Sequence, residues 1–381
     1  MYTDKIEVEG FEHGYERRAE DPRLETHGNA TFTHSTGKIL SSPRLRLRSI
    51  CQWMSFTMRR NNDIGQSQGV FWQNARDTRK RNWNLENLQV EDLLGRGSFG
   101  EVFQVKAKDD GSEAAIKRIK KNVLNTEKDL SRVKAEFSCW RAMSGHPNVI
   151  SLFAFVETDT YWCFIMERGN FGSLSQVLRS SDVMLGSQDV RKIAAQLAHA
   201  ISTLHHAGYL HRDISCSNVL LTENLDCRLI DFGLSVKGTT ATSRSGSLAY
   251  MAPEVLNRRP AGCAADWWSW GIVVYTMIVG KSPLALFAIR EQIDLENISK
   301  ESRYELAKKT PVVLSTRTSP EERALLVDVL RPDPESRLGM RDGMNFDLLK
   351  AHPYFHGVDW TQLDAAKRKI LRRIEIRAKR T

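Results

Sequence analysis

Gly95, Gly97 and Gly100 fall in the spacing G-x-G-x-x-G, within the run Leu94, Gly95, Arg96, Gly97, Ser98, Phe99, Gly100. Glycines let a backbone turn tightly and approach phosphate oxygens without side-chain clashes. Alone the pattern is weak, because dinucleotide-binding folds share it, but there a helix follows. Here the next residues, GEVFQVKA, alternate like a strand. A glycine hairpin between two strands lies over phosphates instead. About 20 residues on comes Ala114-Ala115-Ile116-Lys117. A lone lysine after a strand is most often solvent-exposed. Fixed by an acidic partner, this one could reach back to a nucleotide's phosphates. Glu136 is the candidate partner, although by itself it reads as an ordinary helix-surface glutamate. Next, His211-Arg212-Asp213-Ile214-Ser215-Cys216-Ser217-Asn218 sets an Asp and an Asn five residues apart. The Asp can accept a hydroxyl proton and the Asn oxygen can ligate Mg2+. Thirteen residues beyond Asn218, Asp231-Phe232-Gly233 offers a second metal-binding carboxylate. Each short motif is common by chance; their order and spacing together are not.

These residues need elements to carry them. Short β-like runs come first: LQVEDLLG, EVFQVKA, EAAIKRI, NVISLFAFV and YWCFIME. A helix is expected over Leu130–Ala142, which bears Glu136. Longer helical runs follow, over Val190–His206 and 267–280. Strand-rich first and helix-rich after predicts an α+β arrangement of two lobes. No repeat of 20 to 50 residues is visible.

The series GRGSFGEV, AAIK, a helix glutamate, HRDxxxxN, DFG and Ala252-Pro253-Glu254 resembles the eukaryotic protein kinase family. The resemblance covers roughly residues 88 to 360. Asp266-Trp267-Trp268, the stretch RPDPESRLG (Arg331–Gly339) and His352-Pro353-Tyr354-Phe355 with Val358-Asp359-Trp360 resemble the AGC branch of serine/threonine kinases.

The resemblance implies a two-lobed protein kinase fold using ATP and Mg2+. The loop from Leu94 to Gly100 would cover the phosphates, and Val102 and Ala115 would sandwich the adenine. Lys117 would bind phosphates and pair with Glu136. Met166 would be the gatekeeper, and the backbone of Glu167–Gly169 would hydrogen-bond adenine. Asp213 would be the catalytic base, with Asn218 and Asp231 holding Mg2+. Glu254 would pair with Arg337 in a buried, structural ion pair, and Asp266 would brace the catalytic loop. The activation loop would span 234–248, with a phosphate acceptor at Ser243 binding Arg212; Thr242 and Ser245 compete for that role. Ser247 stands where serine/threonine kinases usually carry Thr. Protein substrates and an upstream activating kinase are the implied partners.

Three features depart from the family. Ser215 stands where serine/threonine kinases have a lysine that neutralises the transferring phosphoryl group. Losing such a stabiliser lowers the rate on the order of 10²–10³, by analogy with oxyanion-hole deletions. The alternative reading is therefore a pseudokinase or weakly active scaffold. Ser173, Ser217 and Thr276 occupy positions where AGC kinases that read basic substrates carry acids, so an arginine preference is not expected. The long AGC tail after Trp360 is replaced by a basic segment, so the small lobe must be braced by the N-terminal extension, by a partner, or by nothing.

The chain has 381 residues, 41% hydrophobic and 27% charged, the balance of a globular protein. Its formal charge of +9 sits in the flanks: residues 31–84 carry +8, 361–381 carry +6, 1–30 carry −4 and 85–360 only −1. A nucleic-acid-binding fold would more often carry positive charge on its body. Residues 1–84 are expected to be a basic, disordered extension, 85–360 the catalytic domain (small lobe about 85–168, large lobe about 169–360), and 361–381 a basic tail. The alternating run 44–50 reads as a solvated linker, against a partner or membrane contact or modification at Ser49. The tail reads as a solvated helix, against an acidic-surface contact or nuclear-localisation signal through Lys367-Arg368-Lys369, or an anionic membrane contact. The longest apolar run, Trp267 to Gly280, is 14 residues, short of a membrane span and suited to a core helix. The acidic N-terminus shows no secretory signal. Six cysteines without metal spacing suggest reduced thiols, hence a cytoplasmic and/or nuclear location.

Overall fold

A computed structural model describes residues 70–74, 83–97, 100–123, 126–169, 171–180, 184–316, 318–340 and 346–378. Ser98, Phe99 and the expectations for residues 1–69, the run 44–50 and Ser49 included, lie outside these residues.

The first half is a six-stranded antiparallel sheet. Its strands are β1 (Val70–Gln73), β2 (Leu88–Arg96), β3 (Glu101–Ala107), β4 (Glu113–Lys120), β5 (Leu152–Glu157) and β6 (Tyr161–Met166), in the order β1-β5-β6-β4-β3-β2. The alternating runs read from the sequence form β2 to β6. β1 lies ahead of residue 85 and pairs with β5, and Trp83 is wholly buried against Phe153 (ring centroids 4.9 Å). The sheet therefore draws on residues that the sequence reading assigned to the extension.

Helix α1 (Glu127–Met143) crosses the sheet. It starts three residues before the expected helix because Thr126 and Asp129 form a reciprocal capping box, which satisfies two amide groups the helix start would leave open. Phe137 stacks on Phe155 at 4.6 Å and Trp140 on Phe164 at 5.7 Å. Full burial of each such side chain contributes roughly 1.5–3 kcal/mol.

The second half is mostly helical. Its helices are α2 (Leu174–Val177), α3 (Ser187–His206), α4 (Pro253–Leu256), α5 (Cys263–Val279), α6 (Pro283–Arg290), α7 (Lys300–Lys309), α8 (Pro320–Val329), α9 (Phe346–Lys350) and α10 (Thr361–Ala378). Strands β7 (Tyr209–Leu210), β8 (Val219–Leu221), β9 (Cys227–Leu229) and β10 (Val236–Lys237) form two short ribbons, β8 with β9 and β7 with β10. The apolar run from Trp267 is the core helix α5, buried on nearly all sides as an all-round hydrophobic helix must be. It packs on α3, and the Trp270 indole donates to the Ala194 carbonyl (3.1 Å). No single described helix is long and apolar enough to cross a membrane.

The basic tail is helical, as its spacing suggested, but it is docked. Ile370 is 1% exposed, and the Lys367 ammonium donates to Ser202 Oγ (2.9 Å) on α3. Burial holds the Lys367 amine down at about 8. Lys367-Arg368-Lys369 is therefore not a uniformly exposed basic motif: Arg368 and Lys369 face solvent and Lys367 faces the protein.

Candidate active site

The glycine hairpin joins β2 to β3, closed by the Gly97 amide on the Gly100 carbonyl (2.8 Å). A side-chain carbon at Gly100 would collide with the Arg118 carbonyl on β4, so only glycine lets the hairpin lie this close to the sheet. At Gly95 and Gly97 such a carbon would meet open space or only a distant carbonyl. Arg96 is tied to Glu101 (3.2 Å), and Leu94 is about half exposed.

Under the hairpin, β4 aligns Val102 opposite Lys117 and Ala115 opposite Met166. Ala115 and Met166 are buried. The Glu167 carboxylate accepts from the Ser151 amide (3.1 Å) and from Arg228 (3.3 Å), which anchors the connection between the lobes. Leu220 of β8 comes up against Gly169, where a side-chain carbon would clash with it. Sequence reading did not single out Leu220, which meets Gly169 here. Its only signal was its central place in VLL after Asn218, half-exposed between two buried residues.

The Lys117 ammonium contacts Glu136 Oε1 at 2.7 Å and Asp231 Oδ1 at 3.0 Å. Burial alone would favour the neutral amine, but the two carboxylates outweigh it and hold Lys117 firmly protonated. Burial likewise opposes the Asp231 charge, and Lys117 overrides it, holding that carboxyl below its ordinary range. Residues from β4, α1 and the segment after β9 are thus joined at one point. Four rings run alongside: Phe164 on Trp140, Trp140 on Phe232 (5.9 Å) and Phe232 on His211 (5.2 Å).

The catalytic-loop residues are held from two sides. Asp266 at the start of α5 accepts the amides of His211 (2.9 Å) and Arg212 (2.8 Å) and bonds His205 Nε2 (2.9 Å). Burial opposes a charged His205, yet Asp266 and the Cys263 thiol raise it to about 9, so a His–Asp ion pair sits under the loop. Arg212 has φ 70° and Asp231 φ 59°, left-handed conformations for non-glycine residues that this framework imposes. Asp213 Oδ2 accepts from Asn218 Nδ2 (2.8 Å), and Oδ1 accepts from both the amide and the hydroxyl of Ser247 (2.8 Å each). Asn218 Nδ2 also donates to the Asp213 carbonyl (2.9 Å). With its nitrogen so engaged, Asn218 could hold a cation only through its side-chain oxygen.

Arg212 donates to the Ser243 carbonyl (2.9 Å) and to the hydroxyls of Ser243 and Ser245. Gly246, at φ 104°, lies so close to the Arg212 carbonyl that no larger residue fits there. Glu254 and Arg337 form a buried two-pronged pair, 2.6 and 2.7 Å. Ser215 is 1% exposed, and its hydroxyl has no hydrogen-bond partner among the described residues.

Lys117, Glu136 and Asp231 thus meet at one point, Asp213 is held by Asn218 and Ser247, and Arg212 reaches Ser243 and Ser245. Residues 88–355 match the protein kinase domain family. This chain belongs to the protein kinase family. The kinase is 32% identical over 285 residues to a probable serine/threonine-protein kinase of Dictyostelium discoideum, covering 74% of this chain and 59% of that one. It is 28% identical over 284 residues to protein kinase C zeta type of Oryctolagus cuniculus (74% and 47%). With protein kinase C eta type of Mus musculus it shares 31% over 288 residues (74% and 40%). The protein kinase C relatives agree with the AGC resemblance. The kinase spans about half the length of the curated relatives it matches.

Proposed function

We propose that the protein is a serine/threonine kinase that moves the γ-phosphoryl group of ATP onto Ser or Thr hydroxyls of protein substrates. One observation carries the reading: Lys117 bridges Glu136 and Asp231 while Asn218 and Ser247 fix Asp213. Asp213 orients the acceptor hydroxyl and takes its proton as the oxygen attacks phosphorus and the bond to ADP breaks. Lys117 holds the α/β-phosphates, beneath the Leu94–Gly100 hairpin. Val102, Ala115, Met166, Leu220 and the 167–169 backbone hold the adenine. Asn218 and Asp231 supply the hard oxygen donors that suit Mg2+ completed by phosphates and water. The ion would neutralise charge on the transferring group. The protein's own work is positioning and charge stabilisation.

Phosphorylation of Ser243 by an upstream kinase would place about −2 charge on Arg212 and order the activation loop. The free thiols Cys139, Cys163, Cys216, Cys227 and Cys263 support a reducing compartment, cytoplasmic and/or nuclear. The catalytic domain is taken as 85–360, with β1 and α10 as appended pieces. Exposed Arg368, Lys369 and Arg372 suit an acidic partner or surface.

Ser215 motivates the rival reading, a kinase-fold scaffold that transfers phosphate poorly. The completeness of Lys117, Asp213, Asn218 and Asp231 argues against it. The test is transfer from labelled Mg-ATP to the protein itself and to a degenerate peptide library. Wild type is expected to transfer, and Asp213→Asn to lose transfer by at least about 10³. A silent wild type awakened by Ser215→Lys would establish the scaffold reading instead.

A further inference from the structure

Helix α1 ends at Ser144, whose amide closes the last turn on the Arg141 carbonyl and which is 4% exposed. Two distant parts of the chain meet there. From the N-terminal side, β1 adds an edge strand to the sheet beside α1, with Trp72 opposite Phe155 and the Asn74 amide on the Phe153 carbonyl (2.9 Å). Trp72 lies edge-on to Phe137 (6.1 Å, 74°), the residue after Glu136. The Asn74 side-chain amide then donates to Ser144 Oγ (3.2 Å).

From the C-terminal side, α10 reaches the same residue: the Arg373 guanidinium donates to the Ser144 carbonyl. A cation at the negative end of a helix, bonded to a carbonyl the helix leaves open, is favoured twice over. α10 is itself anchored. Asp364 pairs with Lys350 (2.8 Å) and accepts from His199 Nε2 (3.3 Å), while His199 Nδ1 meets His146 Nε2 (3.1 Å). The Asn148 amide donates to His146 Nδ1 (3.0 Å), so the His146 proton sits on Nε2 and points at His199. His199 Nδ1 must then accept, and its Nε2 donates to Asp364. The chain of donors runs one way, from the turn after α1 to α10, with both rings neutral.

We propose that β1 and α10 form a two-sided clamp on the C-terminal end of α1 that holds Glu136 at Lys117, making Trp72, Asn74 and Arg373 positioning residues for phosphoryl transfer. Glu136 lies eight residues before Ser144, about 12 Å along the helix axis. A tilt at the clamped end therefore moves the carboxylate out of its 2.7 Å contact. The segments flanking the catalytic domain brace its small lobe. This inference rests on the kinase reading only for its catalytic consequence.

The test compares full-length wild type, Trp72→Ala, Asn74→Ala, Arg373→Ala and Arg372→Ala, the last an exposed residue on the same helix. Amide hydrogen exchange and the KM for ATP are read on each. Amides of residues 131–143 are expected to exchange roughly tenfold faster in Trp72→Ala and Arg373→Ala, and several-fold faster in Asn74→Ala. Amides of α5 and all of Arg372→Ala should match wild type. KM for ATP should rise in the same order. Unchanged exchange in α1, or equal acceleration in α5, would overturn the clamp. A wild type that transfers no phosphate would sink the kinase reading while the exchange data still judged the clamp.

Discussion

The Glu254–Arg337 pair is a sharp place to test the energetics of this fold. Arg337 is wholly buried, gripped by both Glu254 oxygens at 2.6 and 2.7 Å. It also donates to the carbonyls of Ala264, Arg331 and Pro332 (3.0, 2.7 and 3.0 Å) and lies over the Trp268 ring. Glu254→Leu leaves a buried guanidinium with those three carbonyls and no counter-charge. Breaking a buried pair costs about 3–5 kcal/mol, and the carbonyl dipoles put this site at the lower end, about 3 kcal/mol. For a domain of this size that lowers the melting temperature by roughly 6–12 °C. Removing both charges, as in Glu254→Leu/Arg337→Met, removes the stranded cation too, and the double variant should melt several degrees above the single one. Differential scanning calorimetry at neutral pH reads both. A single variant within about 2 °C of wild type, or a double variant below the single, would refute the reasoning.

The pair under the catalytic loop gives a pH signature. His205 is raised from 6.5 to about 9 in the fold, burial opposing the shift and Asp266 driving it. Its contribution is complete below pH 6.5 and is lost as pH rises through 9, an effect on the order of 3 kcal/mol. Urea denaturation should show the decline between pH 6.5 and 9, and His205→Gln should flatten it. Lys117→Met strands buried Glu136 and removes the phosphate contact, so transfer should fall by at least about 10² with a lower melting temperature. A variant that kept wild-type kcat would contradict the site. Ser247→Ala removes one hydroxyl bond to Asp213 but keeps the amide bond, so kcat should fall about tenfold with little change in melting temperature, measured by steady-state kinetics and thermal melts.

Much of the candidate site was legible because its residues sit in short contiguous motifs whose chemistry depends on local spacing. The lobes followed from alternating strands preceding apolar helices. Strand β1 was not legible: VFWQ is a short run in a polar neighbourhood, and it is a strand because β5 offers an edge. The tail was readable as a helix, whereas its docking was not, because Lys367 looks like any solvated lysine until Ser202 is placed beside it. The start of α1 was three residues off because capping by Thr126 lies outside the apolar pattern. Ser215 was visible as a departure, but its burial depends on the segments that close over it.

The grip on Ser144 from residues 74 and 373 also has a temporal side. The chain is made from its N-terminus, and a domain folds as a unit. A nascent chain that has already produced Lys117, Asp213 and Asp231 still lacks Arg373, because α10 follows the whole catalytic domain. Half of the clamp is then in place and half is not. Arg373 is the last residue of the clamp to be made, after every residue named in the candidate site.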